Sequence, residues 1–411
     1  MIGKERAFHA LLMLSWTIPA SPAAIAADPD PARHARELAH RYIIVDGHVD
    51  VPIRHYREDA DVGGRLEVGE FDHPRAVEGG LDAPFMSIFT PASLQSKPGE
   101  SKAFALRLID YVQAIAARHP SKFMLASSVA HVRGAKEAGK IALLMGMENG
   151  SPIEDDVENV DLFRRKGISY ITLTHSKDNA ICDSSYDDTR TWKGLSPFGR
   201  EVVARMNDVG IVVDVSHVSD DTFFQVMELS RAPVFASHSS ARKFTPGFER
   251  NMSDEMIRLL AEKDGVIMVN FGSSFLDGEF RERSDAARER ERELARESGL
   301  EAGSPELRAW IRKHRAENPL EVVDVSVVAD HIDHVVSLVG VDHVGFGSDF
   351  DGVGPTLPRG LEDVSRYPNL IRLLIERGYS DDDIEKMCSG NVLRVMSAVE
   401  RIAAETGAGG G

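Results

Sequence analysis

Residues 42–50, YIIVDGHVD, join an apolar run to two polar side chains at its end. The run at 42–45 predicts a strand buried on both faces, because parallel strands covered by helices read as continuous apolar stretches. Burying the imidazole of His48 and the carboxylate of Asp50 is costly unless a partner binds them. Side chains two apart on a strand face the same way, so this pair points to one place while Val49 turns into packing.

Apolar runs of this kind recur along the chain, with helical stretches between them. The predicted strands are residues 42–46, 84–89, 141–147, 168–174, 211–215, 233–237, 265–271 and 343–347. The predicted helices include residues 101–117, 197–209, 253–263 and 327–339. Eight alternations of strand and helix over about 350 residues predict an α/β fold, a (β/α)8 TIM barrel forming a single domain at 28–405. A doubly wound open sheet is the alternative that this pattern allows.

One long charged segment, residues 275–318, interrupts the rhythm between the seventh and eighth predicted strands. Arg and Glu alternate over residues 281–296. We interpret the segment as a charged helical insertion with a solvated amphipathic helix. None of its residues is a candidate for catalysis or metal binding. The sequence leaves undecided whether the segment acts as a lid.

Composition and the N-terminal residues limit the partners of the chain. The net charge is −17 over 411 residues, which excludes nucleic acid as a partner because phosphate binding needs faces rich in Lys and Arg. Lys4 and Arg6 precede a short apolar stretch that ends in small residues, so we expect a signal peptide at 1–27 and a periplasmic or secreted protein. We expect no stable membrane anchor, a flexible tail at 406–411 and small-molecule partners, and a homodimer is compatible with the sequence.

The chain contains two cysteines, Cys182 and Cys388, far apart in sequence. Two thiols do not make a disulfide framework, although an exported protein could pair them. Their spacing also excludes a Cys-x-x-Cys zinc site. The sequence therefore leaves their pairing open.

Six of the eight predicted strands end in a histidine or an acidic residue. In a barrel these ends meet at one mouth, so residues up to about 300 positions apart come together. The candidates are His48, Asp50, Glu148, His175, His217, His238 and Asp349. Each alone is explained as well by a structural role, such as a helix N-cap. Together they favour a metal site.

The residue types indicate the metal. His217 and His238 form a second pair on neighbouring strands, and Glu148 lies between the two pairs in strand order. A carboxylate bridges two ions about 3.5–4 Å apart. Imidazole and carboxylate without thiolate suit Zn²⁺ best, with Mn²⁺, Co²⁺ and Fe²⁺ also compatible. We expect two zinc ions bridged by Glu148, and their surplus positive charge favours a bridging hydroxide as the nucleophile.

Three further residues have candidate roles in hydrolysis. His175 is a candidate donor to a developing oxyanion. Asp349 is a candidate to take the proton of the water and pass it to a leaving amine. Arg250 is a candidate to bind a carboxylate through its guanidinium, although a surface salt bridge explains it more simply from the sequence alone.

The ordered set of motifs resembles the membrane (renal) dipeptidase family of zinc peptidases. The motifs are DGHVD (46–50), GGLDAPFMSIFTP (79–91), GMENG (146–150), YITLTHSKDN (170–179), GLSPFGREVVARMNDVGIVVDVSHVSD (194–220), PVFASHSSAR (233–242), FERNMSDE (248–255), HVGFGSDFDG (343–352) and GNVLRV (390–395). They cover the chain from residue 46 to about residue 394. No single motif is specific, but the ordered set is.

This resemblance implies a binuclear zinc (β/α)8 barrel that cleaves dipeptides of the form L-Xaa-L-Xaa, with L-Xaa-D-Xaa left open. The implied ligands are His48, Asp50 and Glu148 for one zinc, and Glu148, His217 and His238 for the other. The resemblance also implies that His175 contacts the substrate and that Asp349 is the catalytic acid and base. It assigns Arg250 to the C-terminal carboxylate of the substrate, against the surface salt bridge.

The chain departs from the family pattern at two positions near the site. Val49 stands where many members have Asn, and Gly272 stands where we expect Tyr in animal members. The first side chain points away from the metals. The second change leaves the width and side-chain preference of the substrate pocket open.

Two other functions fit parts of the sequence. A related binuclear amidohydrolase would cleave N-acyl amino acids or β-lactams with the same metal site, and a requirement for a free ammonium group separates the two enzymes. A non-catalytic periplasmic protein that binds a metal or a solute belongs to another class. That interpretation gives Asp349 no role.

Overall fold

The computed structural model describes residues 30–58, 60–301 and 304–407, without the side chains of 55–58. The predicted signal peptide at 1–27 lies outside the described residues and stays a prediction. Among the helices described, none is both long enough and apolar enough to cross a membrane.

The described residues form nine strands, of which eight correspond to the eight predicted runs. The strands are β1 Ile44–Val49, β2 Leu81–Phe89, β3 Phe123–Leu125, β4 Ile141–Glu148, β5 Ile168–Thr172, β6 Val212–Asp214, β7 Phe235–Ala236, β8 Val266–Val269 and β9 Val344–Phe346. The short strand β3 was not predicted. It pairs only with the start of β4 and lies outside the ring formed by the other eight strands.

Those eight strands close into a barrel. Their order is β2–β1–β9–β8–β7–β6–β5–β4, every neighbouring pair is parallel, and β4 returns to pair with β2. Phe89, Glu148, Thr172 and Asp214 are successive register partners, so the ends of β2, β4, β5 and β6 lie at one level. The single-domain (β/α)8 barrel is confirmed, and the open sheet is wrong.

Helices surround the ring. They are α1 Pro31–Arg41, α2 Val51–Glu58, α3 His73–Gly79, α4 Glu100–Arg118, α5 Val129–Glu137, α6 Glu158–Arg165, α7 Pro197–Val209, α8 Asp220–Leu229, α9 Asp254–Glu262, α10 Ser273–Leu276, α11 Gly278–Glu297, α12 Pro305–Glu317, α13 Val325–Val339, α14 Tyr367–Glu376, α15 Asp381–Glu385 and α16 Asn391–Glu405. Helix α7 has the predicted bounds, because Ser196 caps its first turn through the Gly199 amide and Gly210 ends it.

The charged insertion lies between β8 and β9, the seventh and eighth strands of the ring. It is not one continuous helix. The short helix α10 is followed by α11 and α12, which contact each other, before α13 returns to the barrel. We call α10, α11 and α12 the roof, because residues of α10 and α11 line the space at the strand ends and α12 packs on α11.

Large side chains fill the interior of the barrel. Phe85, Tyr170 and Phe235 are fully buried, and the ring centroid of Phe85 lies 5.0 Å from that of Tyr170 and 6.1 Å from that of Phe235. A filled interior confines ligands to the mouth, as in other barrels of this type. Cys182 and Cys388 are buried and unpaired.

Candidate metal centre

Seven polar side chains meet at the C-terminal mouth of the barrel. His48 lies in β1, Asp50 follows it, and Glu148 ends β4. His175, His217, His238 and Asp349 stand in the loops that follow β5, β6, β7 and β9. They form three overlapping groups whose ligand atoms lie within 4.8 Å of one another: His48, Glu148 and His238; Glu148, His175 and His217; and His48, Asp50 and Asp349. The structure therefore brings every predicted ligand to one place.

Glu148 is the centre of this cluster, and its two oxygens face different neighbours. Oε2 lies 3.3 Å from His48 Nε2, while Oε1 lies 3.1 Å from His217 Nε2 and 3.5 Å from His238 Nε2. The two Nε2 atoms of His217 and His238 are only 2.9 Å apart. His217 and His238 thus converge on one oxygen of the carboxylate, and His48 approaches the other.

Hydrogen bonds behind two histidines fix which nitrogen faces the cluster. Tyr170 donates its hydroxyl to Gly47 O at 3.0 Å, so its oxygen accepts from His48 Nδ1 at 2.8 Å. Ser237 donates to Asp214 Oδ2 at 2.6 Å and accepts from His238 Nδ1 at 2.7 Å. Both rings therefore present an unprotonated Nε2 when neutral, as metal ligands do.

Burial and charge also fit a divalent cation. Burial lowers the pKa values of His217 and His238 well below the ordinary range, which favours the neutral ligand form. Burial raises the pKa of Asp50 well above its ordinary value. Burial opposes protonation of His48, yet Glu148 and Asp50 raise its pKa to about 10. The positive charge of the neighbouring side chains thus does not balance the buried carboxylates of Asp50 and Glu148, and a bound cation would.

Unpaired atoms point to the same conclusion. Within the part of the chain that the structure describes, His48 Nε2 and Asp50 Oδ1 are buried without a hydrogen-bond partner. A buried polar atom without a partner carries a desolvation cost of about 1–3 kcal/mol. Coordination of a cation would remove that cost for both atoms.

Asp349 approaches the cluster from β9. Asn270, which follows β8, donates to its Oδ2 at 2.8 Å, and burial raises the pKa of the carboxyl group. Asp349 has a φ of 62°, and His217 across the mouth has a φ of 69°. Such left-handed backbone costs about 1–3 kcal/mol at residues other than glycine, and it aims side chains at functional sites.

Arg250 is buried beside the cluster rather than paired at the surface. Its Nη1 donates to Ser239 Oγ at 2.7 Å and its Nη2 donates to His238 O at 2.8 Å. The residue is 3% exposed, and its Nε has no hydrogen-bond partner among the described residues. The surface salt bridge is therefore wrong for Arg250, and its role in binding substrate stays a prediction.

A cavity of about 540 Å³ opens above the cluster. Asp50, Glu148 and Asp349 line it together with Phe275, Arg288 and Val353. At Gly272 a Cβ would stand 2.7 Å from Val353 Cγ1 and 3.0 Å from Phe275 Cδ2, so these two side chains occupy the place of a larger residue there. Helix α11 buries one face through Phe280, Ser284 and Glu291 and is otherwise mostly exposed, as predicted for a solvated amphipathic helix, and its Arg288 also lines the cavity.

Sequence reasoning missed several residues that support the cluster. Ser87 in β2 donates to Glu148 Oε2 at 3.2 Å, and Tyr170 holds His48 from inside the barrel. A Cβ on Gly352 would collide with Asp349 Oδ1 and Asp50 Oδ2, so any side chain there would displace these carboxylates. Asn270 follows an apolar strand, as the predicted ligands do, and that position is the one signal that would have found it.

Comparison with known proteins agrees with this geometry. Residues 32–409 match the membrane dipeptidase family, peptidase family M19. The chain belongs to the M19 family. It is a metallo-dipeptidase, a hydrolase. An uncharacterised dipeptidase of Schizosaccharomyces pombe is 33% identical over 386 residues, which are 90% of this chain and 84% of that protein.

Two solved M19-like structures share the barrel. The probable dipeptidase PvdM of Pseudomonas aeruginosa has a TM-score of 0.77 and 30% identity, covering 91% of this chain and 99% of that one. A metallopeptidase of Rhodobacter sphaeroides, bound to a phosphinate mimic of the dipeptide L-Ala-D-Ala, has a TM-score of 0.71 and 25% identity, covering 87% and 99%. The mouth of this M19 dipeptidase is thus the place where a metal is expected.

Proposed function

We propose that this M19 enzyme is a zinc-dependent dipeptidase with two ions per chain. His48, Asp50 and Glu148 would hold one ion, and Glu148, His217 and His238 the other. The observation that supports two ions is the split of the Glu148 carboxylate, with Oε2 facing His48 at 3.3 Å and Oε1 facing His217 at 3.1 Å. When bound, two such ions would polarise the scissile carbonyl and lower the pKa of a water molecule.

The side chains of the protein would do the rest. Asp349, oriented by Asn270, would take a proton from the attacking water and deliver it to the leaving amine. His175, whose Nε2 lies 3.4 Å from Glu148 Oε1, would donate to the developing oxyanion. Arg250 would bind the C-terminal carboxylate of the substrate, and Asp349 would also contact its ammonium group. Recognition of both ends explains a limit to dipeptides.

Stereochemistry at the second residue is part of the proposal. The structure of the Rhodobacter sphaeroides enzyme contains a phosphinate mimic of the dipeptide L-Ala-D-Ala, whose second residue is a D-residue. We propose L-Xaa-L-Xaa as substrates here and include L-Xaa-D-Xaa. The chain would act after export, as the N-terminal residues predict, and fractionation of cells that express the full-length chain tests this.

The test begins with metal-free protein reloaded with Zn²⁺, Mn²⁺ or Co²⁺. We expect two zinc ions per chain by elemental analysis and cleavage of Ala-Ala and Ala-D-Ala, with N-acetyl-Ala-Ala and Ala-Ala-Ala resistant. Faster cleavage of the blocked or longer peptides would contradict dipeptidase action. Turnover of N-acyl amino acids or β-lactams alone would favour the related amidohydrolase, and no amide cleavage would favour a binding protein.

A pair of variants links the metal to the activity. Glu148→Gln should reduce bound zinc and bring dipeptide turnover to the detection limit, because the amide cannot supply a bridging carboxylate. Glu228→Gln, at an exposed position of α8, is the matched control and should change neither. Full zinc occupancy in Glu148→Gln would remove Glu148 as the bridging ligand.

A further inference from the structure

One arginine of the roof faces the substrate cavity. Arg288 in α11 lines the same cavity as Asp50, Glu148 and Asp349. The sequence gives no reason to single it out, because α11 is rich in exposed Arg and Glu. Its position in the fold distinguishes Arg288 from the other arginines of that helix.

The buried residues of α11 show on which face of the helix Arg288 lies. The buried residues of this helix are Phe280, Ser284 and Glu291, which share one face at helical spacing. Arg288 follows Ser284 by four residues and precedes Glu291 by three, so it lies on that inner face. Its side chain is nevertheless 51% exposed. Open space lies beside it on two sides, the cavity at the mouth and a cavity of about 820 Å³ lined by α11 and α12.

Charges already present in the cavity leave Arg288 without a strong partner. Its one ion pair among the described residues joins Nη1 to Asp285 Oδ1 at 3.9 Å, on the same helix. Such exposed pairs contribute little. Three of the four carboxylates that line the cavity surround the proposed ions, and the fourth, Asp351, is paired with Arg54 at 2.9 Å. The guanidinium is therefore available to a ligand.

Arg288 is not required to bind the terminal carboxylate or the ammonium group of a dipeptide. In the proposed function the C-terminal carboxylate goes to Arg250 and the ammonium group to Asp349. The group left to meet Arg288 is a side chain of the substrate. Phe275 and Val353 provide apolar wall around the approach to it, and a guanidinium binds a carboxylate by paired hydrogen bonds.

We propose that Arg288 makes this enzyme selective for dipeptides with an acidic side chain, Asp or Glu. The inference rests on the proposed dipeptidase function and adds the substrate class. It also gives the roof a function: the inserted helix supplies the side-chain contact, and the barrel supplies the cleavage.

The test compares acidic substrates with their amide isosteres on zinc-loaded enzyme. Glu-Ala is set against Gln-Ala, Ala-Glu against Ala-Gln, and Ala-Ala is the common reference. We expect the acid to be favoured in kcat/KM by about tenfold at one of the two positions, as for one charge-assisted contact at a partly exposed site. Arg288→Met should abolish that ratio mainly through KM, and Arg288→Glu should invert it and favour Lys at the same position.

Arg292→Met is the matched control, because Arg292 is exposed on the same helix and does not line the cavity. It should keep the acid-to-amide ratio. A ratio near one in the wild type, or a ratio that survives Arg288→Met, would overturn the inference. So would an equal loss on Ala-Ala and on the acidic substrate, since Arg288 would then bind the main-chain carboxylate. No cleavage of Ala-Ala at all would instead refute the proposed function.

Discussion

The mouth of the barrel and the roof above it are built in opposite ways. At the mouth, each candidate ligand stands at or just after a strand end and is mostly buried, and hydrogen bonds from neighbouring side chains orient several of them, as Tyr170 orients His48 and Ser237 orients His238. In the roof, Arg288 is half exposed, and its one ion pair within the described residues is a weak one on its own helix. Buried side chains held at strand ends suit metal binding and bond cleavage, while an exposed arginine on an inserted helix suits recognition of a variable side chain.

Because of this difference, we expect substitutions at the mouth and in the roof to have different effects on metal content and turnover. A change at the mouth should alter metal content or turnover for every substrate, because all substrates share the same scissile bond. A change in the roof should alter the order of substrates and leave the chemistry in place. The following variants run from the largest expected effect to the smallest.

Asp349→Asn should keep zinc and lose turnover. An amide cannot take up the proton that the leaving amine needs, and loss of general acid–base catalysis costs about 10²–10⁴-fold in rate. Asp342→Asn, at an exposed position with a surface ion pair to Lys386, is the control. The measurements are kcat on Ala-Ala and zinc content. Loss of zinc in Asp349→Asn would assign the residue to the ligands, and unchanged kcat would remove it from the mechanism.

Gly352→Ala should damage the mouth without replacing any candidate ligand. The added methyl group would collide with Asp349 Oδ1 and Asp50 Oδ2. A displacement of about 1 Å in a catalytic group can cost about 10²-fold in rate, so we expect a loss of that size in kcat/KM. Gly64→Ala is the control, because a Cβ there meets no atom within 4 Å. Equal activity in the two variants would show that the loop after β9 yields easily.

Tyr170→Phe should weaken zinc binding while the barrel stays filled. It removes the hydroxyl that accepts from His48 Nδ1 at 2.8 Å, and such outer partners are worth about 10–100-fold in metal affinity. Competition with a chelator measures the affinity. Tyr379→Phe removes a hydroxyl bonded to Asp333 far from the mouth and should leave zinc affinity intact. Equal affinities in both variants would mean that His48 needs no orienting partner.

The positions of the polar residues at the ends of the predicted strands were enough to predict which residues meet at the mouth. Continuous apolar runs predicted the eight strands of the ring, and the rule that parallel strand ends meet in a barrel brought His48 together with Asp349, 301 positions later. Boundaries were less accurate: β5 ends at Thr172 rather than 174, since the chain turns toward His175 before the apolar run ends. The strand β3 was missed because Phe123 is its one buried residue, so it does not form a continuous buried apolar run.

Contacts between distant elements could not be predicted in this way. Nothing in the run of Arg and Glu in α11 shows that residue 288 faces inward, because the inner face is defined by what α11 packs against. Gly352 is one glycine among 34, and its importance depends on two carboxylates that meet only in the folded chain. Arg250 was first interpreted as a surface residue for the same reason, since burial is a property of its surroundings.

The smallest effect is expected inside the roof itself. Arg315 of α12 binds Glu291 of α11 through two hydrogen bonds of 2.7 and 2.9 Å, which lower the pKa of Glu291. Because the arginine is half exposed, Glu291→Gln should reduce the free energy of unfolding by about 1 kcal/mol or less. The contribution of a carboxyl group with a lowered pKa is present above its unfolded-state pKa and disappears at acid pH, so the difference from wild type in urea unfolding should shrink there. Turnover of Ala-Ala should not change, and a loss as large as that of Tyr170→Phe would show that the roof takes part in the chemistry rather than in selection alone.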